Sequence, residues 1–389
     1  TDVLMSPAFE KRAEGEAKCS GTRNLQDNIS DLKAQIAANN KGIRLVNELI
    51  GSYSLPVVHA YMRYIQQTAE KSVRKMLRDL SLKHGLKEID TVHAVDYMDN
   101  GAKLQLALTI NRVEGSAKFD FTGTDLQIYG NTNAPRSVTM SAIIYSLRCL
   151  VKDDIPLNSG CMDPIEVVIP RGSFLDPLEG AAVVGGNVLT SQRVTDVVLM
   201  AFKAAANSQG CMNNFTFGNS KMGYYETIAG GAGAGPTWQG QDSVQVHMTN
   251  TRITDAEILE RRYPVLLREY SVRDASGGAG KFRGGHGVVR EFEFLAPLEV
   301  GILSERRSFA PNGLNGGMPG QRGRNVWLRR NEAAAANQQH SSSTSASSVT
   351  YSPVFLGGKN SIKAKTGDRF RIETPGGGGY GAPESTTSN

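Results

Sequence analysis

Four residues between Gly223 and Pro264 carry groups whose chemistry could be used together. Glu226 can polarise water or orient an imidazole, and His247 can move a proton near neutral pH. Arg252 can fork a carboxylate or phosphate, and Asn250 can donate an amide N–H to an oxyanion. Between them lie Gly230, Gly231, Gly233 and Gly235, which let backbone pass close to a ligand where a Cβ would obstruct it. These residues predict one cleft that holds Glu226, His247 and Arg252 with the glycine loop at its edge, because reacting groups must come within about 3–3.5 Å of their targets. Each also has a plainer reading. His247 sits in a strand-like run, SVQVHMT, where a lone histidine can be structural, and Glu226 can accept hydrogen bonds from loop amides. Asn187, Asn213, Asn214 and Asn250 can serve an oxyanion or close turns.

Elements must position these groups. Thr254-x-x-Glu257 reads as a capping box, which gives Asp255 and Glu257 to a helix start and puts Arg252 just before it. GGNVLTSQRVTDVVLMAFKAAANSQG reads as a glycine turn, a helix with Val194, Val197, Val198, Ala201 and Phe202 on one face, and a stop at Gly210. A glycine turn opening a helix can bind anions, but GGNVLTS lacks the spacing and the lysine of a nucleotide loop. Asn187 belongs to this turn.

Further back in the chain, Leu25, Ile29, Leu32, Ile36, Ile43, Val46 and Ile50 recur in steps of four and three, with Asn39 in the missing slot. That is a long amphipathic helix with a polar residue in its seam, there either to fix register or to reach a ligand. A second stripe from Val58 to Leu80 follows Gly51-Ser-Tyr-Ser, so residues 24–85 predict an antiparallel helical hairpin. From Ile89 the period becomes two: IDTVHAVDYM, KLQLALTINR and SAKFDFTG predict an antiparallel sheet, the last pair turning at Glu114-Gly115. AIIYSLRCLV predicts a buried helix and PIEVVIP an isolated strand. The fold class is therefore α+β: the helical hairpin, a central mixed region over 86–250, and a glycine-rich β lobe over 251–383. Residues 1–23 and 384–389 read as ragged ends. The polar run over 331–350 reads as a long solvated hairpin loop, and GGGGYG near the end as a flexible strand exit.

Composition narrows the classes. At 389 residues with 40% hydrophobic and 21% charged, the chain has the make-up of a soluble globular protein with more than one packed lobe. No window approaches the roughly eighteen apolar residues of a membrane span, and no signal-peptide pattern is present. Four scattered cysteines and six dispersed histidines offer no metal-ligand spacing, so no metal site is expected within the chain. Arg252 to Arg330 carries thirteen arginines and one lysine against nine acidic residues, a surplus equal to the net charge of +5. This segment reads as a solvated basic face or as an attractor of anionic ligands. A nucleic-acid partner is not expected, since no recognition motif accompanies it.

NLQDNISDLKAQIAANNKG, AAVVGGNVLTSQRVTDVVLMAF, QGCMNNFTFG, GYYETIAGGAGAGP, HMTNTRITDAEILERRYPV, SGGAGKFRGGHGVVREFEF and the terminal TPGGGGYG together resemble the hydantoinase B/oxoprolinase family. The resemblance covers nearly the whole chain apart from the 331–350 insert and the ends. It implies a cytosolic amidase of the glutathione cycle that opens the lactam of 5-oxoproline to glutamate while hydrolysing ATP. Phosphorylation would turn the lactam oxygen into part of a reactive imidate that water can attack. ATP and Mg are implied as bound mainly by a hydantoinase A-like region, in cis or in trans, with homo-oligomers formed by the full-length enzyme. From the residues themselves, His247 and Glu226 are the expected catalytic groups, and Arg252, Asn250, Asn187, Gly231 and Gly233 the expected substrate contacts. The same blocks fit an N-methylhydantoinase or an ATP-dependent ketone carboxylase subunit, and, in another class, a non-catalytic scaffold. Family members carry a longer N-terminal part rich in His, Asp and Gly, whereas Thr1–Lys18 holds no histidine. The resemblance thus implies a piece of a larger enzyme, inactive alone.

Overall fold

The computed structural model describes Leu4 and residues 21–156, 158–331 and 349–384. Two 29-residue helices come first, α1 (Leu25–Tyr53) and α2 (Leu55–Lys83). Asn24 caps α1 by accepting from the Asp27 N–H, and Ser54, at φ 73°, breaks the chain before Pro56 in the first turn of α2. The expected pair of long helices is present, but their stripes are not buried against each other. The second half of α2 places Ala69, Val73, Met76 and Leu77 in a core beneath a sheet, whereas α1 buries none of its residues.

That first sheet runs in the order β1 (Ile89–Tyr97), β2 (Lys103–Asn111), β3 (Ser116–Asp120), β4 (Ile165–Val168). β1 to β3 are antiparallel, with Gly115 at φ 66° in the expected turn. The strand expected to stand alone is β4, and it pairs parallel to β3, so its backbone groups have a partner. α3 (Arg136–Leu150) and α4 (Ser191–Ala201) close this core with Ile143, Leu147, Val194 and Val198. α4 ends at Ala201, capped by the turn through Lys203, rather than at Gly210. Lys203 adopts φ 52°, and the Lys203 and Ala204 N–H groups donate to Met200 O and Leu199 O, a glycine-type helix cap built without glycine.

The remaining strands are β5 (Asn214–Gly218), β6 (Gly223–Glu226), β7 (Val265–Arg273), β8 (Gly287–Phe294), β9 (Leu298–Leu303), β10 (Arg324–Arg330), β11 (Tyr351–Phe355), β12 (Lys359–Ala364) and β13 (Arg369–Glu373). They form sheets of order β11-β10-β13-β8-β7 and β12-β9-β5-β6, which enclose a second core around Phe215, Phe217, Phe292, Phe294 and Phe370. Strands from before and after residue 250 thus share one sheet. The 331–350 loop reading falls mostly on residues outside the described ones; β10 and β11, on either side, pair antiparallel.

The GGGGYG run is not a flexible exit. Gly376 to Gly379 are buried, and the Gly377 N–H donates to Gly285 O (2.9 Å) while Gly377 O accepts from the Gly278 N–H (2.8 Å). The Gly285 N–H donates to Ala232 O, and the Ala234 N–H to Gly378 O. Glycine-rich segments from three parts of the chain thus lie backbone against backbone, a packing that side chains would prevent.

Candidate functional site

The imidazole of His247 is fixed by α4. Its Nε2 lies 3.0 Å from Asp196 Oδ1, and its ring meets Tyr145 of α3 edge-on at 5.9 Å. A carboxylate only accepts, so Nε2 carries the proton, and Nδ1 of the neutral ring is left as an acceptor with no protein partner among the described residues. Only 8% of the side chain is exposed. The residue is not in a strand. At φ 51° it occupies the left-handed region, a conformation that costs a non-glycine residue energy and persists where the surroundings hold it.

Asp196 is itself the end of a buried charge relay. Its other oxygen accepts from Arg306 Nη2 at 2.9 Å, and Oδ1 also accepts the Ser208 N–H at 3.0 Å. Arg306 bridges to Asp96 of β1 through both Nη atoms, at 3.1 and 2.8 Å. Arg193 and Asn207 donate to the same Asp96 carboxylate, each at 3.1 Å. Burial opposes ionisation of Asp196, but the hydrogen bond from His247 and the charge of Arg306 outweigh it and hold the carboxyl below its usual range. Two aspartates and two guanidiniums are thus neutralised inside the protein, and the single group of this network that approaches the surface is His247.

Glu226 does not join it. Its carboxylate forms a two-point pair with Arg290 of β8, at 2.8 and 3.1 Å, and accepts from Tyr224 Oη at 2.6 Å. Both charged side chains are buried in the phenylalanine core, and Arg290 stacks on Tyr270 and Phe292. Burial, then the neighbouring Glu226 charge, raises the Tyr224 phenol. The partner that orients His247 is therefore Asp196, and the partner of Glu226 is a guanidinium rather than loop amides or the imidazole.

The other expected contacts are dispersed. Asn250 and Arg252 are exposed, on the loop that follows His247, and neither has a hydrogen-bonding or ionic partner among the described residues. The helix after them is α5 (Ala256–Arg262), capped by Asp255, whose carboxylate accepts from the Glu257 and Ile258 N–H groups. Thr254 bonds Tyr224 instead of capping. Gly231 and Gly233 are buried, and the space a Cβ would need is filled by the carbonyls of Gly285 and Ala206. They admit neighbouring backbone, not a ligand. Asn213 is fully buried and tied to Gln209, Ile228 and Arg307. Asn187 is exposed in a π-helical turn, Gly186–Thr190, and lines an open groove of about 610 Å³ with Asn214, Tyr225 and Lys359. The arginine surplus is mostly at the surface: eight of the thirteen arginines are exposed, Arg268 and Arg324 among them, whereas Arg290 and Arg306 lie in core ion pairs and Arg273 and Arg283 are half-buried beside carboxylates.

Among the described residues no group of three His, Cys, Asp or Glu could hold a metal ion, and the glycine turns are filled by backbone. Asp96, Arg193, Asp196 and Arg306 were not singled out by sequence reasoning. The available signal was Gln192, Arg193 and Asp196 within a helix whose other faces are apolar, polar residues where a fully buried helix should carry none.

Comparison with known proteins adds what geometry does not. The family model for hydantoinase B/oxoprolinase matches residues 10–383. The chain belongs to this family. The 5-oxoprolinase of Dictyostelium discoideum is 57% identical over 94% of the chain, and 5-oxoprolinase 1 of Arabidopsis thaliana 53% over 96%. The chain spans 27% and 29% of those relatives' lengths, so it corresponds to their hydantoinase B-like portion. The crystal structure of the ATP-dependent caprolactamase from Pseudomonas jessenii superposes with a TM-score of 0.75 at 20% identity, over 94% of this chain and 64% of that one, a likeness of fold. Among the described residues no helix is long and apolar enough to cross a membrane.

Proposed function

We propose that this hydantoinase B/oxoprolinase chain works as a portion of an ATP-dependent 5-oxoprolinase, opening 5-oxoproline to glutamate with His247 as the base that prepares water. The observation that carries the role of His247 is its pairing with Asp196. A buried carboxylate fixes the imidazole through Nε2 and leaves Nδ1 to take a proton, which is how an Asp–His pair serves general base catalysis. Asp196 is then a positioning residue, stabilising the imidazolium as it forms. Arg252, without an ionic partner on the same loop, is the proposed clamp for the substrate carboxylate, and Asn250 and Asn187 are proposed donors at the substrate. Activation of the lactam by ATP is assigned to the hydantoinase A-like region of the longer relatives, in cis or in trans, in a cytosolic homo-oligomer. The names of the relatives support the substrate, and their greater length supports the need for a companion region.

A second reading has its own observation. Glu226, Gly231 and Gly233 are occupied by other parts of the protein, as expected of a scaffold that shapes a site contributed from elsewhere. Replacement of the substrate by a hydantoin or a ketone would leave the same scaffold in use. The test is reconstitution. The 389-residue chain alone should form no glutamate from 5-oxoproline and ATP; addition of the remaining region of a longer relative should restore it, and Arg252→Ala should weaken the restored activity mainly through KM. ATP-coupled glutamate formation by the chain alone would overturn the division of labour, and full activity in Arg252→Ala would remove the clamp.

A further inference from the structure

Most buried polar side chains of α4 are accounted for. Arg193 and Asp196 belong to the relay, and the hydroxyls of Ser191 and Thr195 donate to carbonyls one turn back. Gln192 is left over. It is fully buried, its Nε2 donates to Thr249 Oγ1 at 3.0 Å, and its Oε1 accepts from no group among the described residues. A carbonyl oxygen withdrawn from water without a donor is costly, and in a native protein such an atom calls for a partner. Gln192 stands one turn before Asp196, and both reach the same loop: Asp196 holds His247, Gln192 holds Thr249, and the turn between these two is closed by the Thr249 N–H on Val246 O at 3.1 Å. Side chains four apart on a helix are neighbours, with Cβ atoms about 5–6 Å apart.

We propose that Gln192 Oε1 and His247 Nδ1 together seat the water that attacks the lactam carbon, which makes Gln192 a further catalytic residue of the reading above. Both atoms are acceptors without a donor among the described residues. Water carries two O–H groups and satisfies both at once, whereas a hydroxyl, with one proton, satisfies one. With its protons so directed, the water turns its lone pairs to the substrate. In the step itself the O–H bond toward His247 breaks and its proton passes to Nδ1. The electron pair released forms the bond from oxygen to the carbon of the O-phosphorylated lactam, and the C=N pair of that imidate moves onto the ring nitrogen. Gln192 keeps the other O–H throughout. Being a neutral acceptor, it orients the water without competing with His247 for the proton. Thr249 is then a positioning residue, since its hydroxyl accepts from Nε2 and so turns Oε1 away from itself.

The inference rests on His247 as the base, and the experiment separates the two. A high-resolution crystal structure of the chain should show one water within hydrogen-bonding distance of both Nδ1 and Oε1; a structure without it overturns the seat. In the reconstituted enzyme, Gln192→Met should lower kcat about 10–100-fold with KM for 5-oxoproline little changed. Combined with His247→Gln it should be no slower than His247→Gln alone, because both residues act on one water. Fully multiplicative losses would show that they act separately and overturn the proposal. Gln245→Met, which removes another unpartnered carboxamide oxygen, is the control, and an equal loss there overturns the assignment to Gln192. If Gln192→Met does not fold, Thr249→Val, which releases the carboxamide, should lower kcat in the same direction, and a parent rate in it overturns the proposal. A slow His247→Gln beside a Gln192→Met at the parent rate overturns the seat and leaves the base; parent rates in both remove the base as well.

Discussion

His247 and Glu226 show how one residue type pattern can serve two ends. Both are buried, both have charged partners, yet His247 retains an unpaired ring nitrogen and Glu226 retains no free oxygen. An ion pair removed from water is stabilised mainly by its own completeness, and deletion of one member leaves the other charge stranded. Glu226→Gln should therefore lower unfolding stability by about 3–5 kcal/mol, read as a shift in the denaturation midpoint, because Arg290 keeps its charge inside the phenylalanine core. A variant as stable as the parent would show that the pair has no such role. The sequence showed that both groups stand near glycines and a capped helix. It could not show their partners, because Asp196 and Arg290 lie far along the chain and only tertiary packing brings them in.

Elements were legible where local rules operate. The strands from Ile89 to Asp120, the helix after Pro135 and the helical period before Lys83 follow from alternation, from proline and from stripes of four and three. They failed to be legible where context overrides the rule. Lys203 takes the left-handed cap that glycine ordinarily supplies, and Asp255 caps α5 where Thr254 satisfied the motif. Glycines misled most, since a requirement for close approach says nothing about what approaches. Here it is other glycine-bearing backbone, which sets up a contrast between two alanine substitutions. Gly377→Ala places a methyl group against the Ala232 carbonyl and should cost about 3 kcal/mol or more, whereas Gly42→Ala, in α1 with open space around it, should stabilise that helix by up to about 1 kcal/mol. Thermal melts of the two variants check the claim, and equal effects would refute the packing account.

At the scale of the whole molecule, two cores meet along a buried relay that joins β1, α4 and the loop bearing Arg306, and His247 closes that relay at its outer end. Family membership was readable in seven ordered sequence blocks, while the relay was not, because its members are spread from Asp96 to Arg306. The division of work follows from this arrangement. On the proposed reading the chain would contribute a fixed proton acceptor, and the further sequence of the longer relatives would supply activation. The central claim is that His247 supplies the base. The measurement that tests it most directly is kcat for ATP-coupled glutamate formation by the reconstituted enzyme with His247→Gln, its fold verified by circular dichroism. The account predicts a fall of about 10²–10⁴-fold with KM for 5-oxoproline little changed; a folded His247→Gln enzyme within a few-fold of the parent would contradict it.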